Sequence, residues 1–229
     1  MTTLVLITSV INTSSNRLSY SKTRSKFNAE ERYIQTQKTI ESVREKIPGC
    51  KIFLIETSEL PDDYTDYFLA NTDYYLNLCS DECIADTSGS SKALGEGTQT
   101  IHAIKYIMDN DIDYDNLIKI SGRYYLSDAF DKTIFENNKI VVKTISNNNK
   151  RRRNNNNDNI LTAMYKLPKL HVPQLRTFLL ANINKMKQCI GYEILFGTFV
   201  NGFSKNTLDY VNTIGVCGLV SICASYYSG

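Results

Sequence analysis

The short motifs that mark the commonest nucleotide- and metal-dependent enzymes are missing. There is no G-x-G-x-x-G, G-x-x-x-x-G-K-[ST], H-E-x-x-H or G-x-S-x-G, and no paired C-x-x-C. Dinucleotide oxidoreductases, P-loop NTPases, zincins and α/β-hydrolases therefore lose their strongest marks. Histidine is scarce: His102 and His171 stand apart, without ligand-type spacing. Cys79 and Cys83 would need two further ligands to close a zinc site. All six cysteines (Cys50, Cys79, Cys83, Cys189, Cys217, Cys223) are scattered over a chain too long to need stapling, so reduced thiols are expected. Long apolar runs are also lacking. Even the uncharged stretch from Ile214 to Tyr227 is too short, and too rich in Gly and Ser, to span a bilayer. Met1 to Val10 has neither a basic start nor a small-residue cleavage site, and reads as a first strand rather than a signal peptide. No transmembrane segment and a cytoplasmic location are the expectations.

What is present fits one globular domain spanning residues 1–229. The chain has 229 residues, 42% hydrophobic and 22% charged, near the average for folded proteins. Net charge is only +2, but its distribution is uneven. Glu56 to Asp86 holds nine acids and no Lys or Arg, whereas Lys139 to Lys187 holds eleven bases and one acid, Asp158. Two readings stand: two solvated surfaces, or an electropositive rim for an anionic ligand.

Along the chain, Thr3 to Asn12 is a β-branched run suited to a strand buried on both faces. A polar, basic loop over 13–28 precedes a helix that Asn28 caps and Pro48-Gly49 ends. Lys51 to Glu56 is a second strand, Leu60 to Ala70 a short helix, Tyr74 to Cys79 a third strand, and Ser88 to Ser91 a loop. A helix from about Glu96 to Asn110 and a strand from Leu117 to Ser121 complete a β-α-β-α-β-α-β order. That order implies an α/β fold, a Rossmann-like, mainly parallel central sheet flanked by helices, with ligand-binding loops at the carboxyl edge. The rest is less regular. Lys139 to Ile145 and Ile160 to Tyr165 read as strands joined by the Asn/Arg-rich tract 146–159, which has no apolar residue and is expected to be mobile. Pro173 to Met186 and Gly191 to Val200 read as helical, and Thr213 to Ser221 as a small-residue strand or buried turn.

The strand IKIS runs straight into Gly122-Arg123, giving ISGRYYLSDAF. A glycine at a sheet's carboxyl edge permits close backbone approach, and an arginine there can bind a phosphate or carboxylate through two parallel hydrogen bonds. The rival role for Arg123 is pairing with the acidic turn at Asp111 to Asp115. Arg32, Gln35 and Thr39 fall on one helical stripe, more polar than a core-facing stripe should be; either ligand contact or a solvated face explains it. Glu96, flanked by Gly95 and Gly97, reads as a first-turn acid favoured by the helix dipole. Glu193 lies among Ile190, Tyr192, Ile194, Leu195 and Phe196, where burial would raise its pKa towards that of a general base; a buried partner to Arg176 or Lys187 is the alternative.

TSVIN, RSKFNAEERYIQTQKTI, LIETS, KALGEG, YDNLIKISGRYYLSDAF, YEILFG and IGVCGLVS, in that order along nearly the whole chain, resemble a group of small GT-A-type glycosyltransferases of bacteria and large DNA viruses. The resemblance implies a nucleotide-sugar donor held by residues 1–125 and a glycan or other hydroxyl acceptor held by 126–229, in the host cytoplasm if the source is viral. In the wider GT-A class the strand matching IKIS ends in Asp-x-Asp, which holds manganese or magnesium on the donor diphosphate. Ser121-Gly122-Arg123 stands there instead. Arg123 and other cations would then neutralise the leaving diphosphate, and Asp128 is the carboxylate to which a metal would have to turn. On this reading Thr8, Ser9, Arg24, Arg32, Lys92, Gly95, Ser121 and Gly122 bind donor, while Arg123 and Glu193 carry an inverting transfer. The competing readings are a nucleic-acid-binding module using the basic C-terminal part and a nucleotidyltransferase; the latter would want an early Gly-rich phosphate loop and paired metal carboxylates.

Overall fold

The computed structural model describes residues 1–80, 82–145 and 159–229. Strands β1 (Thr3–Thr8), β2 (Lys51–Glu56), β3 (Tyr74–Asn77) and β4 (Asn116–Ser121) pair in parallel in the order β3-β2-β1-β4. Their connections carry helices α1 (Ala29–Lys46), α2 (Asp62–Asn71), α3 (Ile84–Ser88) and α4 (Lys92–Asp109), because parallel neighbours cannot be joined by a tight turn. Beyond β4 the sheet turns mixed. β7 (Met164–Pro168) adds antiparallel to β4, β6 (Ile140–Val142) antiparallel to β7, and β8 (Leu208–Tyr210) parallel to β6. The seven-stranded, mainly parallel sheet with flanking helices is the α/β architecture expected from the alternation of elements.

Both sheet faces are covered. Leu4, Leu6, Phe53, Leu117, Tyr165 and Leu167 pack with α4, α5 (Val172–Ala181), α6 (Ile183–Lys187) and α7 (Tyr192–Val200); Val5, Ile7, Ile52, Leu54, Ile118 and Ile120 pack towards α1 and Phe68 of α2. Each such fully buried side chain contributes about 1.5–3 kcal/mol. Among the described residues no helix is long and apolar enough to cross a membrane.

The polar stripe on α1 has a structural cause. Arg32, Thr36, Thr39 and Ser42 are all buried against β5 (Tyr124–Leu126), which follows β4 after the Gly122-Arg123 turn. Thr36 Oγ1 donates to Gly122 O (2.8 Å), Thr39 Oγ1 donates to Tyr124 O (2.7 Å), and Ser42 Oγ accepts from Leu126 N (3.0 Å). Hydroxyls here satisfy backbone that no neighbouring strand reaches. On its other edge β5 joins β9 (Val216–Leu219) and β10 (Tyr226–Ser228) in a three-stranded antiparallel sheet. Gly218 permits that approach, since a Cβ there would lie 2.5 Å from Arg123 O.

Several boundaries differ from expectation. β1 ends at Thr8; Ser9 N makes one more bond to β2, at Ile55 O, and beyond it Ile11 N turns to the Glu56 carboxylate. α4 starts four residues earlier than expected, at Lys92, with the hydroxyl of Ser91 capping Leu94 N. α5 and α6 replace one long helix, broken at Asn182. The strand expected over 160–165 lies at Met164–Pro168. Neither β5, β8 nor β10 is marked by a long apolar run, and all three went unforeseen. The tract 146–159, apart from Asn159, lies outside the described residues. Strands from before and after residue 125 share both sheets: β7 pairs with β4, and β9 pairs with β5.

Candidate active site

β1 and β4 end together, with Thr8 paired to Ser121, and a cleft opens over that edge. Its interior volume is about 140 Å³ and it is open to solvent, room for on the order of ten water molecules. Thr8, Arg24, Arg32, Lys92, Gly95, Ser121 and Arg123 all line it. Seven of the eleven candidate residues, drawn from five separate segments, thus meet in one place.

Each cation is held differently. Arg32, in the first turns of α1, is buried; its Nε donates to Val10 O and one Nη to Ser221 Oγ (3.1 Å). Burial and the adjacent Arg123 cation pull its guanidinium down to about 10, against the pull of Glu56, so it stays charged at neutral pH. Arg123 has its Nε buried with no hydrogen-bond partner among the described residues, and its guanidinium lies 5.0 Å from the Tyr124 ring. The acidic turn does not meet it. Asp115 accepts from Thr2 N and Asp113 pairs with Lys169 at the opposite end of β4. Arg24 donates to the carbonyls of Thr87, Ser88 and Gly89, tying the 13–28 loop to the end of α3. Lys92 begins α4 at the positive end of the helix dipole and forms no ion pair among the described residues. None of these four comes from the Lys139–Lys187 segment.

One carboxylate lines the cleft, Glu96, and it is not the first-turn acid expected. With α4 starting at Lys92, Glu96 falls in the second turn and points inward to Lys119, its Oε1 2.6 Å from Nζ. Lys119, mid-β4 and fully buried, also donates to Ser121 Oγ (3.0 Å) and Thr162 O (2.7 Å). Burial opposes the charge on Glu96, but Lys119 and Lys92 outweigh it and hold the carboxyl below its ordinary range. Gln99, a second unforeseen lining residue, donates from Nε2 to Ser9 O (2.6 Å). Tyr20 from the first loop, and Val220, Ser221 and Ile222 from the β9–β10 turn, complete the wall. No signal in their local sequence marks them.

The remaining candidates sit elsewhere. Ser9 and Gly122 line a small pocket beside the cleft with Gln35 and Thr36. Gly122 is small for packing, since a Cβ there would lie 3.1 Å from Thr36 Oγ1 and 3.3 Å from Ser9 Cβ. Gly95 lines the cleft, but its missing Cβ faces Thr87 O, 3.1 Å away, so α3 accounts for it. Glu193 is only half-buried, in the first turn of α7, and makes no ion pair with Arg176 or Lys187 among the described residues. The expected deep burial fails because α7 turns Glu193 and Ile194 outward and Tyr192, Leu195 and Phe196 inward. Glu193 lines a second pocket that shares Tyr20, Lys92 and Glu96 with the cleft.

Asp128 is fully exposed and bound to Lys46 (2.8 Å) near the C-terminal end of α1, because β5 runs along α1 away from the cleft. Among the described residues no three His, Cys, Asp or Glu side chains form a metal-binding group. A divalent cation needs hard anionic oxygens, whereas the cleft offers four cations and a carboxylate already engaged by Lys119. These residues do not fit one. No protein-family model and no curated protein matches the chain.

Proposed function

We propose that the protein is a glycosyltransferase of GT-A type, transferring a sugar from a nucleotide-sugar donor to a hydroxyl of a glycan or similar acceptor. One observation carries the reading: Arg24, Arg32, Lys92 and Arg123 converge on a cleft at the carboxyl edge of β1 and β4 where, among the described residues, the one lining carboxylate, Glu96, is already paired. Like charges that outnumber their counter-charges create a field that an anionic ligand relieves. The apolar Leu18, Val220 and Ile222 give the same cleft a wall suited to a nucleoside.

In the reaction, the acceptor oxygen attacks the anomeric carbon, its proton passes to a carboxylate, and the bond from that carbon to the diphosphate breaks. The bonding electron pair leaves with the nucleoside diphosphate. Arg123, Arg32 and Lys92 are the groups that would stabilise it, taking the part a metal plays elsewhere. Glu193 lines the pocket beside the donor cleft and is the base this reading assigns, with inversion at the anomeric carbon.

Thermal-shift screening with UDP-, GDP-, CMP- and dTDP-sugars, each in EDTA and in manganese, tests the proposal. Stabilisation by one nucleotide sugar in EDTA is expected; saturation at roughly 100 Kd adds about 2.7 kcal/mol. Stabilisation by oligonucleotides alone would overturn it in favour of nucleic-acid binding. Binding that appears only with manganese would return the diphosphate to a metal.

A further inference from the structure

Glu96 occupies the boundary between two cavities. It, Tyr20 and Lys92 are the residues common to the donor cleft and the Glu193 pocket. Its Oε1 is taken by Lys119, while Oε2 has no hydrogen-bond partner among the described residues. Lys119, for its part, is saturated: three N–H donors meet Glu96, Ser121 Oγ and Thr162 O.

A buried ion pair is weak evidence for stability, since an apolar pair of the same volume commonly does as well. A carboxylate also weakens a cleft built for anions, unless it meets something other than the diphosphate. Among the described residues it is the only carboxylate lining that cleft, whose other polar side chains are guanidinium, ammonium, amide and hydroxyl groups. The group it faces must therefore donate, and must carry no negative charge of its own. Hydroxyls of an uncharged sugar meet both conditions; a uronate carboxylate meets neither.

Resting on the donor reading above, we propose that Glu96, locked in place by Lys119, is a specificity-determining residue that accepts hydrogen bonds from the hydroxyls of a neutral transferred sugar and excludes acidic sugars. Lys119 acts through Glu96 as a positioning residue.

Isothermal titration of wild type, Glu96→Gln and the Glu96→Gln/Lys119→Met double variant tests this. The probes are UDP, UDP-glucose and UDP-glucuronic acid, or the GDP series if screening selects guanosine. The double variant removes both buried charges together and guards against a fold defect in the single one. Wild type should bind the hexose conjugate more tightly than the uronate. In both variants the nucleoside diphosphate should bind no more weakly, the hexose conjugate should lose about ten- to a hundredfold, as for a hydrogen bond to a charged group, and the preference over uronate should collapse. Unchanged hexose preference in either folded variant would overturn the assignment and leave Glu96 structural, with the donor reading intact. Wild type that binds no nucleotide in any series would overturn both.

Discussion

The two ends of β4 carry charge of opposite sign under opposite conditions. At its start, Asp111, Asp113 and Asp115 stand in solvent, and the contacts there are Lys169 to Asp113 at 3.2 Å and Thr2 N to Asp115 at 2.6 Å. At its finish, Arg32 and Arg123 share a partly enclosed wall, and the acids near them are already engaged, Glu96 by the buried Lys119 and Glu56 by the backbone N–H groups of Ile11, Thr57 and Ser58. Water makes the first arrangement cheap and nearly inconsequential, because exposed ion pairs contribute little. Desolvation makes the second costly unless a ligand completes it. A cluster of charge in the sequence therefore says less than the dielectric into which the fold puts it.

Single lysine substitutions at the two ends should separate most widely. Lys119→Met strands a buried carboxylate and should cost about 3–5 kcal/mol in urea denaturation, whereas Lys169→Met at the acidic end should cost under about 1 kcal/mol. Equal losses would erase the distinction drawn between the ends.

Arg123→Ala should come next, reducing the proposed sugar transfer by about 10²-fold or more while leaving the melting temperature near wild type, since among the described residues no ion pair holds this guanidinium. Arg123→Lys should restore only part, because a point charge lacks the planar fork. Wild-type turnover in both would place the charge stabilisation on Arg32 and Lys92 alone.

Lys166 gives the finest test, since it is a second buried lysine, one strand away from Lys119, that forms no ion pair among the described residues. Its Nζ donates to Asn137 O, Asn137 Oδ1 and Lys139 O, and burial pulls its pKa down to about 8 against the pull of Asp209. Lys166→Met should cost about 1–3 kcal/mol by leaving those oxygens unpaired. The sign of the pH dependence follows from linkage: between about 8 and the unfolded value near 10.4, the unfolded chain holds the extra proton, so stability from this group rises with pH. The gap between wild type and variant should widen in denaturation series taken from pH 7 to 10. A gap that narrows would mean that the ammonium, not the neutral amine, is the favoured buried form.

The alternation of β-branched runs with longer polar-capped stretches was enough to specify β1 to β4, their helices and the edge at which they end. Asn28, with Glu31 closing the reciprocal cap at α1, is the kind of local chemistry that a sequence states outright. Arg32 and Arg123 were legible for a related reason: a cation beside a strand terminus or a helix start has few places to go once the sheet is parallel. The identity of the polar stripe on α1 was not legible, because its partners Gly122 O, Tyr124 O and Leu126 N belong to a strand of three residues with no periodicity to read.

Glu96 and Lys119 show the same limit from the other side. Twenty-three positions apart, each has an ordinary explanation by itself, a helix acid and a strand lysine, and only the packing of α4 over β4 brings them to 2.6 Å. Ser221 and Ile222 reach the cleft because Gly218 lets β9 lie against β5, a contact across more than ninety residues that no local pattern encodes. Sequence alone determined which segments become strands and helices, since that depends on neighbours a few residues away. Tertiary structure decided which charges are desolvated, which are paired and which are left facing a ligand, because those depend on atoms brought together by the whole fold.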